Sequence, residues 1–244
     1  MINDFANLEK FYNESLGQTV KCLLSIQLKK YWKDTRGKKI LGIGFANPLL
    51  DELDKDADRI ISLMPFKQGR SHWRGRKGNL SISAKEYNLP FPDNFFDRVI
   101  ILHGLESCSN ERDFLREVWR ILEDEGKVLI ITPKPLSFWV FSRCSPFYKS
   151  RVYSASKLKY ILNNVLFVTL RHTSVLFAPP FRNSKFLNFI KKNEKNGTKF
   201  FPFLCGLNFM EAQKQRYIVG SHGSKLGLIK KSFIPHKSER QLKG

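Results

Sequence analysis

Along the first part of the chain, Leu8, Phe11, Tyr12, Leu16, Val20, Leu23, Leu24 and Leu28 recur at helical spacing with polar residues between them. This spacing predicts one or two helices over residues 5–33, each with a single apolar face. Gly37 then breaks the period, and the short apolar run at 40–43 reads as a strand buried on both faces. Pro48 suits the first turn of a following helix that carries Leu49, Leu50 and Leu53. Further apolar runs follow at 58–65 (DRIISLMP), more weakly at 79–83 (NLSIS), and most clearly at 96–104 (FDRVIILHG), entered from the turn PFPDN. The stretch NERDFLREVWRILEDEG predicts a helix capped by Asn110, with Glu111 and Asp113 at its positive end and Gly126 as its stop. Its expected buried face is Phe114, Leu115, Val118, Trp119 and Leu122, and KVLIITP at 127–133 follows as another strand, ended by Pro133.

Strands that alternate with helices over this length require crossover connections, hence a parallel, doubly wound α/β sheet. Beyond Pro135 the pattern changes to a capped helix, SASKLKYILNN, and two candidate strands, FVTLRHTSVLF and LNFMEAQKQRYIV, separated by a polar, basic insert at 181–200. From about residue 221 no period is sustained, the mark of a disordered segment. The expected organisation is an N-terminal helical cover over 1–36, one main domain over 37–220, and a basic tail over 221–244.

With 244 residues, 42% of them hydrophobic, the chain can build one sizeable core. No run reaches the roughly 18 apolar residues of a membrane span, and the N-terminal residues lack the basic-then-apolar order of a secretory signal. A cytoplasmic location is expected. Cys22, Cys108, Cys144 and Cys205 are widely spaced and, like the dispersed histidines, suggest neither a metal site nor a disulfide framework. Charge changes the picture more, because a net +20 and a pI near 9.9 favour polyanionic partners. The excess concentrates at 181–200, where six basic residues face only Glu194, and at 221–244, where six face only Glu239. Either solvated surface charge or a contact with RNA or an acidic partner accounts for it. SHWRGRKGN at 71–79, with Trp73 among His72, Arg74, Arg76 and Lys77, is the candidate aromatic-plus-basic contact for a nucleic acid.

Three segments in order, ILGIGFANP at 40–48, LPFPDNFFDRVIILHGLE at 89–106 and FLREVWRILEDEGKVLIITP at 114–133, resemble the class I S-adenosylmethionine-dependent methyltransferases of the type 11 group. The resemblance implies a Rossmann-like, doubly wound seven-stranded sheet, mostly parallel with an antiparallel last strand. It also implies S-adenosylmethionine as cofactor, seated beyond the carboxyl ends of the strands, and methyl transfer to an acceptor that the sequence does not identify. Matching positions place Gly42, Gly44, Phe45, Ala46, Met64, Glu86, Tyr87 and His103 around that cofactor. The family turn Asp-x-Gly-x-Gly-x-Gly is altered here to Gly42, Gly44, Ala46 and Pro48, Met64 stands where an acid would hold the ribose, and Lys85 or neighbouring Glu86 stands where another acid is usual. The turn backbone must therefore carry the binding, in a crevice kept free of Phe45, Met64 and neighbouring loops. His103, with Glu106 to orient it, is the candidate to touch the reacting groups, and Phe138, Trp139 and Tyr148 are candidates for a lid over the acceptor. The alternative is a non-catalytic protein of the same fold that binds RNA or an acidic partner through its basic surface. A dinucleotide-dependent dehydrogenase is disfavoured, since the third glycine and the acid ending the second strand are missing.

Overall fold

A computed structural model describes residues 5–69, 73–75, 78–181 and 183–215. Helices α1 (Phe5–Asn13) and α2 (Ser15–Tyr31) lead into β1 (Lys39–Gly44), α3 (Asn47–Leu53) and β2 (Arg59–Pro65). A short 3-10 turn (Phe66–Gln68) and a small antiparallel hairpin, β3 (Arg74–Gly75) with β4 (Gly78–Asn79), precede β5 (Ser81–Ala84). The chain continues through β6 (Phe96–Leu102), α4 (Glu111–Ile121), β7 (Leu122–Pro133), α5 (Phe138–Phe141) and α6 (Ala155–Asn164). Then come β8 (Phe167–Val175), α7 (Ser184–Phe200), a second 3-10 turn (Pro202–Leu204) and β9 (Leu207–Lys214).

Seven strands form one sheet in the order β5-β2-β1-β6-β7-β9-β8. The strands from β5 to β7 pair in parallel, whereas β9 runs antiparallel to both β7 and β8. The expected seven-stranded sheet with its last strand reversed is therefore present. Strand order reverses between β1 and β6, which leaves a crevice where the loops leaving their carboxyl ends diverge.

Alternation along each strand divides the interior in two, as the period of a pleated strand requires. Ile40, Ile100, Leu129 and Ile131 face one cluster with α1, α2 and α3. Leu41, Ile101, Val128 and Ile130 face the other with α4 and α6. The carboxyl end of α2 is fastened by a buried acid on β9: Trp32 Nε1 and Arg171 Nε each donate to Glu211 at 2.8 Å, and the Arg171 guanidinium also donates to Tyr31 O. That carboxylate tolerates complete burial because it is both paired and hydrogen-bonded.

Some local expectations shift. Asn110 caps α4 as its sequence implies, accepting from the N–H groups of Arg112 and Asp113. The helix nevertheless ends at Ile121, ahead of Gly126; Leu122 is already extended, and the chain turns at Glu125 (φ 64°) to enter its pairing with β6 at Lys127. Trp119 is only partly buried and donates to Leu166 O. The basic insert forms α7, a seventeen-residue helix. The 221–244 tail lies outside the described residues.

Candidate cofactor crevice

Gly44 ends β1 in register with Leu102 of β6, at φ 79°. A Cβ there would sit 2.3 Å from Leu102 O and 2.8 Å from Gly104 N, so only glycine lets the two strand ends approach this closely. Gly42 is small for another reason, since a side chain would strike Leu50 and Ala46 and lift α3 off the sheet. His103 follows β6 directly and holds a left-handed backbone (φ 57°), uncommon for a residue with a side chain and a form of local strain that gathers at functional sites.

The crevice is not left open. Tyr12 of α1 reaches across it, stacks on Phe45 with ring centres 5.4 Å apart, and meets His103 Nε2 with its hydroxyl at 3.0 Å. Phe5 packs on the far side of Phe45, and the His103 ring stacks on Phe147. Gln68 Nε2 donates to His103 O and to Ser107 Oγ. Tyr12, Phe45, Ala46, Met64, Gln68, His103, Glu106 and Phe147 are each at most 6% exposed, so no water-sized channel runs between them. The backbone turn expected to receive a ligand is thus covered by Tyr12 and its own Phe45. Aromatic stacking plus burial outweigh an open, hydrated crevice in this conformation.

Polar atoms are left without partners inside this packing. Both carboxylate oxygens of Glu106, Gln68 Oε1 and His103 Nδ1 are buried and make no hydrogen bond. His103 Nδ1 lies 3.3 Å from Glu106 Oε1, an ion-pair distance without the alignment of a hydrogen bond. Burial first, and the Glu106 charge second, push the Tyr12 phenol well above its usual range. The phenol therefore keeps its proton, and its hydroxyl shares a hydrogen bond with His103 Nε2 whose direction follows the imidazole tautomer. Unmet buried acceptors each cost about 1–3 kcal/mol, and their gathering at one strand end marks a place where a ligand's donors would be satisfied. By its chemistry the set fits a cofactor that carries a positive charge, an amino group and hydroxyls. The space for one requires Tyr12 to withdraw.

The remaining sequence-derived positions divide. Met64 is wholly buried at the end of β2, its carbonyl held by Ser83 Oγ. Glu86 is buried too, but its carboxylate accepts from the Ser109 N–H and hydroxyl at 3.2 Å each. Burial pushes its pKa up, while those bonds and nearby Lys67 outweigh this and leave it below the usual carboxylate range. Tyr87 is exposed beneath Lys85. Of the lid candidates, Phe138 is exposed on α5 and Tyr148 lines a cavity of about 540 Å³ with Leu136, Val140, Phe141 and Lys149, whereas Trp139 is an anchor in the core that donates to Ala178 O. Trp73 is likewise a core residue, donating to Asp51 Oδ1 at 2.9 Å, and is not free to stack on a base. His72, Arg76 and Lys77 lie outside the described residues.

Tyr12 and Gln68 are the site residues that sequence reasoning missed. Tyr12 sits in an apolar stripe and reads as core; only its hydroxyl, an unusual group for a buried helix face, hinted at a partner.

Residues 40–130 match the family described as a methyltransferase domain. The ubiquinone/menaquinone biosynthesis C-methyltransferase UbiE of Yersinia pestis bv. Antiqua is 28% identical over 134 residues, 47% of this chain and 53% of that protein. The enzyme of the same name from Azotobacter vinelandii is 31% identical over 106 residues, 43% of this chain and 39% of that protein. The chain thus spans about half or less of the length of these curated relatives. Among solved structures, an S-adenosylmethionine-dependent methyltransferase of Thermotoga maritima, described as a possible histamine N-methyltransferase, superposes with a TM-score of 0.59 over 85% of this chain and 94% of that one, at 17% identity. Another from Aquifex aeolicus gives 0.55 over 85% and 97%, at 14% identity. The strand order, the reversed last strand and the matched segment agree: residues 40–130 match a methyltransferase domain, set in the fold that this chain shares with these solved S-adenosylmethionine-dependent methyltransferases.

Proposed function

We propose that the chain binds S-adenosylmethionine at the carboxyl ends of β1 and β6 and catalyses transfer of its methyl group to an acceptor that reaches His103. The observation that carries this reading is the set of unpartnered buried polar atoms on Glu106, Gln68 and His103 at the strand-order reversal of a methyltransferase domain. S-adenosylmethionine, when bound, supplies a methyl group on a positively charged sulfur. The backbone of Gly44, Phe45 and Ala46 would hold it, with Gln68 and Glu106 meeting its donors. Met64, Glu86 and Tyr87 stand at the neighbouring strand ends and complete the candidate lining. His103 Nε2 already meets one hydroxyl, that of Tyr12, at 3.0 Å. An acceptor bearing an O–H or N–H would take the phenol's place, and His103 would remove its proton while Glu106 holds the ring.

The organisation that goes with this reading is a cover over 1–36, a catalytic domain over 37–220 and a basic tail over 221–244. The four cysteines remain free thiols, in keeping with a cytoplasmic location.

Calorimetric titration with S-adenosylmethionine and its demethylated product tests the proposal. Binding in the micromolar to sub-millimolar range is expected. Tyr12→Ala should tighten it several-fold, because the variant removes the ring that fills the crevice. Absence of both heat and thermal shift at millimolar ligand, in the wild type and in Y12A alike, overturns the proposal.

A further inference from the structure

Large apolar side chains stand exposed on α5, on the loop before it and on the turn after α7. Leu136 is 88% exposed and Phe203 69%, and Phe200, Phe201 and Leu204 stand out beside Phe203. Phe138 and Phe141 project from α5 as well, while Trp139 between them roots that helix in the core. These residues sit on segments that touch. Lys134 Nζ donates to Pro202 O at 2.6 Å, joining the Leu136 loop to the turn that carries Phe203, and Trp139 packs directly on Gly206 at the exit of that turn. A contiguous apolar patch of this kind is rare on a free surface and marks an interaction site.

The surrounding charge has one sign. Lys192, Lys195 and Lys199 are exposed along α7 just ahead of the aromatic turn, and Arg143 and Lys149 flank α5. The sequence places no acid between 134 and 152, and Glu194 is the single acid between 177 and 206. Its carboxylate is turned inward, accepting from the N–H groups of Leu176 and Phe177. Five consecutive exposed residues from Phe200 to Leu204, four of them large and apolar, form a projecting wedge beneath a cationic rim.

We infer that this face docks on an anionic lipid surface, with Phe201, Phe203 and Leu204 entering the headgroup region and the α7 lysines pairing with lipid phosphates. Aromatic and leucine side chains beside lysines are the composition of interfacial anchors, and each lysine near an anionic leaflet adds to the attraction. An RNA surface fits less well, because the exposed Leu136 and Leu204 offer a base no stacking face. The inference stands independently of methyl transfer.

Co-sedimentation of the full chain with vesicles of phosphatidylcholine alone, and of phosphatidylcholine with phosphatidylglycerol in equal parts, tests it. Binding to the mixed vesicles is expected to exceed that to the neutral ones at least tenfold and to fall as salt is raised. F201S/F203S should lower it about tenfold with an unchanged melting temperature, since both rings are exposed, and K192E/K195E/K199E should abolish the preference for the anionic lipid. The inference is overturned by absence of vesicle binding, by binding indifferent to F201S/F203S, or by retention of RNA without retention of vesicles. It is equally overturned by a wild-type dimer that becomes monomeric in F201S/F203S without vesicle binding, for then the patch pairs two copies of this chain.

Discussion

The crevice and the α5 face are both rich in phenylalanine, yet they handle it in opposite ways. At the strand ends, Tyr12, Phe45 and Phe147 stack inward, and the price of that packing is a carboxylate with no donor. On the α5 face, rings are left in water, with Lys134 and Glu194 hydrogen-bonded beneath them and the buried Ser137 hydroxyl without a partner. The first region joins apolar comfort to polar frustration, and the second is frustrated chiefly in its exposed rings. Frustration of either kind is retained where a partner relieves it: a polar, charged ligand in the crevice, an apolar one on the face.

The contrast breaks most severely at Gly44. Gly44→Ala forces a left-handed alanine against the Leu102 carbonyl and should cost about 3 kcal/mol or more of stability, read as a sharp drop in melting temperature together with loss of cofactor binding. Glu106→Gln is expected to separate stability from function. Replacing a buried carboxyl without partners by an amide should stabilise the fold by about 1–2 kcal/mol, while titration shows S-adenosylmethionine binding weakened roughly tenfold. A variant that lost both would mean that Glu106 is needed for folding and not for a ligand. The smallest effect belongs to the outer face: Phe203→Ser should change stability by less than about 0.5 kcal/mol in urea unfolding, because its ring is already solvated. A large loss there would show that the turn is part of the core.

Much of the architecture was legible in the sequence because it rests on period. The runs at 40–43, 96–104 and 127–133 are continuous and apolar since both faces of those strands are buried, and the helix between the last two announced itself with Asn110. Legibility failed where a local signal is overridden by position. Gly126 reads as a helix stop, but the turn at Glu125 and the pairing of β7 with β6 decide the boundary. The insert at 181–200 reads as polar and basic, yet Leu187 and Ile190 give it a face to bury as α7. In the site, His103 and Glu106 were visible because they follow a strand whose end had to face the crevice. Tyr12 was not, because its partner lies 91 residues away and nothing local distinguishes a core tyrosine from one that spans a binding cleft. Trp73 failed in the opposite direction: basic neighbours suggested a contact surface, while its indole is spent on Asp51.

The link between Tyr12 and His103 also bears on how the chain is made. Helix α1 emerges from the ribosome long before β6, so its buried side, which packs on α2 and Phe45, lacks the His103 end of its cover until residues past 103 have been synthesised. Nascent polypeptide arrested before that point would carry a greasy, unfinished helix, a natural substrate for chaperones, and release of that hold would coincide with closure of the crevice.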